Sequence, residues 1–187
     1  MVAGRRWRNG ADGYGLVTKT LHWAVVALIT TQFVIGYLVD ADGSGRGRGR
    51  GRGRSGESGR GRGRGRGGDY DVFGDDTLLT VHVVLGVTIL VVATIRLVWR
   101  LTTPLPPWAA TLSSGERRFA HWTERLLYVC MFAIPITGLW LIAADDDDVL
   151  VAHVAAHIVF FVAVAAHVGL VAKHQFIGRD RLLRRML

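Results

Sequence analysis

The chain has 187 residues, 50% of them hydrophobic, and a mean hydropathy of +0.28 although 20% are charged. Apolar and charged residues must then lie in separate blocks, which excludes an ordinary soluble globule and fits an integral membrane protein. A formal charge of +8 would point to nucleic acid in a soluble chain, but here its placement decides more than its sum.

Residues 1–19 are a basic leader carrying Arg5, Arg6, Arg8 and Lys19, and residues 20–39 are an apolar first span with His22 near its start. A signal peptide is the competing reading. The run is longer than the usual apolar core of one, and no A-x-A-like cleavage site follows, so a retained span is expected. Leu21-His22-Trp23 sets an imidazole beside an aromatic of the kind that lines membrane interfaces. Gly36, fourteen residues on, shares the face of His22 in the other leaflet.

Residues 40–76 are of low complexity, with nine arginines set among glycines from Arg46 to Arg66 and acids on either flank. Such a segment buries no core and is expected to be disordered. An RG-type nucleic-acid binder is one reading. A solvated loop expansion, facing outward between two spans, is preferred, with anionic lipid or surface polymer as further partners.

The second span, residues 77–99, opens with His82, has Gly86 one turn later, and carries Arg96 fourteen residues after His82. Gly86 would let a flat macrocycle lie close to the backbone. Arg96 either snorkels to water or pairs with a buried carboxylate. Residues 100–121 are a connecting loop with Pro104, Pro106, Pro107, Arg117 and Arg118, and His121 stands at the mouth of the third span, residues 122–143. Pro135 and Gly138 should bend that span. Cys130 within it reads as a small buried hydrophobe, and as the single cysteine it forms no internal disulfide.

Asp145 to Asp148 make an acidic turn without EF-hand spacing, which caps the membrane and suits the N-terminus of the next helix. The fourth span, residues 149–172, holds no Asp, Glu, Lys or Arg, yet carries His153, His157 and His167. Residues 173–187 are a basic tail with Lys173, His174, Arg179, Arg181, Arg184 and Arg185. The expected architecture is all-α, a transmembrane four-helix bundle.

An ionisable residue inside a membrane span marks a functional site by default, because it is costly to keep there. His153 and His167 are fourteen residues apart, which is about 21 Å of rise and about 40° of rotation. They share a face and lie near opposite membrane surfaces. Outside the Gly-Arg segment, the basic residues fall in the leader, around the second-to-third connection, and in the tail. Four spans put all three on one side, and the positive-inside rule then makes both termini cytoplasmic. The insertion arginines run against that rule and are offset only in part by seven acids. On this topology His22 meets His167 near the cytoplasm, and His82 meets His153 on the outer side. Two neutral imidazoles facing across a bundle form a bis-histidine site for haem iron. Hydrogen bonds across helix interfaces are the plainer reading of any one of them. Zinc fits less well, since no depth offers four ligands. His157, one turn from His153, competes with it as ligand.

LHW at 21–23, HVVLG at 82–86, RLVWR at 96–100, AHWTERLLY at 120–128, IPITG at 134–138 and HVGLVAKHQFIGRD at 167–180 come in an order that resembles the bacterial cytochrome b561 family. The resemblance covers all four spans and the tail, and only the Gly-Arg insertion has no counterpart. It implies two haem b per chain with His22, His82, His153 and His167 as axial ligands, and it favours His153 over His157. It also implies a quinone-linked oxidoreductase of the bacterial inner membrane, relaying electrons between quinone and an extracytoplasmic donor or acceptor. Superoxide oxidation coupled to ubiquinone reduction is one such activity. Service as the cytochrome b subunit of a dehydrogenase or hydrogenase is another. Arg96, His121 and His174 are candidates for haem propionate or quinone, and His121 or His174 for moving protons. The partners are then membrane lipid, quinone and the outer redox partner, with a homodimer left open. A histidine-lined transporter of transition metal is the alternative of another class.

Overall fold

The computed structural model describes residues 7–11, 13–46, 77–144, 147–180 and 182–187. Four helices form it: α1 (Leu16–Arg46), α2 (Thr77–Thr102), α3 (Ser114–Ala144) and α4 (Asp147–Ala172). A π-helical turn, Lys173–Ile177, and a short 3-10 turn, Leu182–Arg185, complete the tail. Among the described residues there is no strand beyond an isolated bridge between Gly10 and Gly13. The all-α bundle expected from the hydropathy blocks is the one observed.

Each helix is long and apolar enough to cross a membrane. Their boundaries run past the expected spans, because a helix does not stop where its apolar stretch does. α1 and α3 have 31 residues each, about 46 Å of rise against a hydrocarbon core of about 30 Å. α1 continues through residues 40–46, which were expected to begin the loop. Residues 47–76, including most of the Gly-Arg segment, lie outside the described residues. α2 runs on to Thr102, and α3 starts eight residues before residue 122.

That early start has a local cause. Ser113 and Glu116 form a capping box: the Ser113 N–H donates to Glu116 Oε2 at 2.9 Å, and the Glu116 N–H donates to Ser113 Oγ at 3.3 Å. Two amides that would otherwise lack partners at the helix start are thereby satisfied.

The core is small and sits at mid-depth. Val25 of α1, Ala93 of α2, Cys130 and Met131 of α3, and Phe160 of α4 are buried together. Side chains such as Val84, Val151, Ile158 and Val162 are exposed. In water that much apolar surface would be unfavourable; facing lipid it costs nothing. α1 packs on α2, α2 on α3, and α3 on α4. α4 reaches α1 through rings instead: Phe33 lies 5.8 Å from Phe160, 4.5 Å from Phe161 and 5.2 Å from His157, centroid to centroid.

One end of the bundle is tied together by the three basic segments. Asn9 donates to the Pro104 carbonyl (3.0 Å), and Arg185 Nη2 donates to that of Pro107 (2.7 Å). Trp23 Nε1 donates to the Met186 carbonyl at 3.0 Å, and Trp99 Nε1 donates to Thr18 Oγ1 at 2.9 Å. Leader, second connection and tail therefore share one side, called here the basic end. The opposite end, where α3 hands over to α4, is the acidic end.

Candidate functional site

The histidines divide by depth into two groups. Toward the basic end, His22 of α1 faces His167 of α4 with ring centroids 6.5 Å apart and planes tilted by 53°. Two ring nitrogens each about 2 Å from a shared metal would place the ring centres about 6 Å apart. The separation of the pair is close to that value.

Arg96 lies in this half, bordering a crevice with Thr18, Leu21, Trp99 and Tyr128. Its Nε donates to Tyr128 Oη at 3.2 Å, while its Nη1 is buried with no hydrogen-bond partner. Of the two readings of Arg96, snorkelling or a carboxylate partner, the second is not seen among the described residues: the neighbouring Arg100 clamps Glu124 of α3 with two bonds of 2.6 and 2.8 Å. Such bidentate geometry favours one register between α2 and α3. Tyr14 sits just outside the span near this pair. Its burial first, and then the Glu124 charge, push the phenol pKa up.

Toward the acidic end are His82 of α2 and His153 and His157 of α4. Gln32 of α1 donates from Nε2 to the His82 carbonyl at 3.0 Å and lies 3.1 Å from His82 Nε2. His82 Nδ1 is buried without a partner. His153 is held by α3: Thr137 Oγ1 is 3.0 Å from its Nδ1. His157 packs edge-on against His153 at 4.4 Å.

Glycines make room for these rings. A Cβ at Gly36 would stand 3.0 Å from His82 Cε1, and one at Gly138 would stand 3.0 Å from His153 Cε1. Both rings press on a neighbouring backbone that a side chain would displace. Gly36, expected on the His22 face but in the other leaflet, borders His82 there. A Cβ at Gly86 would meet Gln32 Nε2 at an ordinary 3.5 Å.

These residues fit a haem iron in each half. One half offers two imidazoles facing each other across the bundle, and the other offers three imidazoles, one of them with a buried ring nitrogen that has no partner. Among the described residues no group of three or more His, Cys, Asp or Glu comes together as a metal site.

His174 lies at the basic end and is buried. Its Nδ1 is 2.6 Å from Asp180 Oδ2, and its Nε2 is 3.2 Å from Glu116 Oε1. Lys173 Nζ donates to the same Glu116 oxygen at 2.7 Å. Arg179, in the left-handed region with φ 51°, turns the chain so that Asp180 returns to His174. His121 lies partly buried on α3 and joins none of these contacts.

Sequence reasoning missed Gln32, Thr137, Glu116 and Asp180. Gln32 and Thr137 were readable as polar residues in apolar spans, and Ser113 with Glu116 as a capping motif. Asp180 carried no signal, because its partner is set by the fold of the tail.

The sequence pattern of the family described as prokaryotic cytochrome b561 matches residues 13–187. Cytochrome b562 of Cereibacter sphaeroides is 24% identical over 175 residues, which cover 94% of this chain and 95% of that protein.

Proposed function

The chain belongs to the prokaryotic cytochrome b561 family and is thus a multi-pass b-type cytochrome of the bacterial inner membrane; from that premise we propose that it relays electrons between a membrane quinone and a partner outside the cytoplasm. The observation that carries this reading is the 6.5 Å separation of His22 and His167. His22 and His167 hold one haem b, and His82 and His153 hold the second. Bound haem supplies a one-electron couple whose potential follows from its axial ligands, hydrogen bonding and burial.

The basic end is read as cytoplasmic, since arginine and lysine favour that side. Reducing a quinone to quinol takes two electrons and two protons, so the quinone side needs a proton path. His174, between Glu116 and Asp180 at the basic end, is the best placed group for it. Arg96, with a buried N–H free to donate, suits a haem propionate or a quinone oxygen in the same half. On the outer side, two superoxide ions that each give up one electron become two O2 and supply one quinone. The Gly-Arg segment would draw such an anion toward that surface.

Stopped-flow spectroscopy of the purified protein tests this. Superoxide should reduce the cytochrome, and a short-chain ubiquinone should then reoxidise it within the same mixing experiment. Reduction without reoxidation by any quinone would remove quinone from the account.

A further inference from the structure

We propose that Thr137 is a positioning residue of the acidic-half site: it fixes the tautomer and orientation of His153, selects that ring over His157 as the ligand, and lowers the reduction potential of the haem held there. The proposal rests on His153 as an axial ligand.

Thr137 has one hydroxyl proton and lies 2.7 Å from the Ala133 carbonyl, one turn back, and 3.0 Å from that of Ile134. The proton goes to a carbonyl, as in other helical threonines of this chain such as Thr88 and Thr94. Its oxygen is left to accept, so the proton shared over the 3.0 Å contact belongs to His153 Nδ1. The Ile134 carbonyl also bonds to His153, and it too only accepts. The Thr137 oxygen beside Nδ1 therefore asks for the Nδ1–H tautomer. That leaves the lone pair on Nε2, which is the form a neutral imidazole needs to bind a metal.

A hydrogen bond from the far nitrogen both orients a ligating ring and raises its basicity. A more basic axial ligand favours ferric over ferrous iron, hence the lower potential. Gly138, the next residue, lets the ring seat close enough for the bond to form. His157 has the opposite surroundings. Its contacts are ring faces and edges, Phe33 at 5.2 Å and His153 at 4.4 Å, and among the described residues no hydrogen bond sets its tautomer. His22 and His167 likewise have no such bond among the described residues, so the basic-half haem serves as an internal control.

Redox titration of the purified protein, followed by its visible spectrum, tests the proposal with Thr137→Val and Thr137→Ser in parallel. Thr137→Val should keep two haems and raise one midpoint potential, shifting that one-electron equilibrium about tenfold, or about 59 mV, while the other stays put. Thr137→Ser, which retains the acceptor, should restore the original value. Loss of one haem in Thr137→Val with retention in Thr137→Ser would also support the role, through orientation. Two unmoved potentials in Thr137→Val, or a shift in Thr137→Ser as large as in Thr137→Val, would overturn it. If Thr137→Val does not accumulate, Thr137→Ala is read in the same way. His153→Ala separates the two failures. If it keeps both haems, the ligand assignment falls; if it loses one while the Thr137 potentials stay put, only the role of Thr137 falls.

Discussion

At the scale of single residues, the four histidines proposed as ligands stood out in the sequence because their type is costly in lipid and their spacing repeats. Their supports were harder to read. Gln32 and Thr137 are neutral and tolerable in any span, and only the folded arrangement shows them against imidazole nitrogens. Periodicity put Gly36 in the leaflet opposite His22, but a face on one helix does not say which neighbour will lean on it, and here that neighbour is His82. Side-chain replacement tests the ligand set directly. His167→Ala should lose the basic-half haem and keep the other, and His153→Ala should do the reverse. His157→Ala should retain both, because that ring is packed rather than positioned. Difference spectra of the three variants decide it. Loss of a haem in His157→Ala together with its retention in His153→Ala would exchange the roles of the two residues.

At the scale of elements, hydropathy placed all four helices but not their ends. A helix outlasts its apolar stretch when caps and polar turns favour it, as Ser113 and Glu116 do for α3. Nor did periodicity show how the helices pair. α4 stands off α1 and leans on it through aromatic rings, with Phe160 midway between His153 and His167 and stacked on Phe33. That makes Phe160 the packing residue shared by both halves. Phe160→Ala should destabilise the bundle by about 3 kcal/mol, in the range for large core deletions. The thermal midpoint should fall clearly below that of Val162→Ala, a change at a lipid-facing position on the same helix. Equal midpoints would mean that the ring at mid-depth adds little to the packing.

At the scale of the whole molecule, segregated charge gave the topology: the leader, the second connection and the tail do meet at one end. Sidedness rests on the positive-inside rule, against which the nine arginines of the insertion stand. Deleting residues 47–68 leaves α1 intact to Arg46, and changing loop length alters closure entropy by only about 0.6 kcal/mol per doubling. Haem content should be unchanged. Reduction by an anionic outer donor should slow at low ionic strength, and the difference should vanish as salt shortens the screening length below about 10 Å. Equal rates at low salt would leave the arginines without a steering role.

The central claim is that two depth-matched histidine pairs each hold one haem. A pyridine haemochrome assay on the purified protein, set against its polypeptide concentration, measures this most directly. Close to two haem b per chain is the predicted result. A value near one would contradict the second pair, and a value near zero would contradict both.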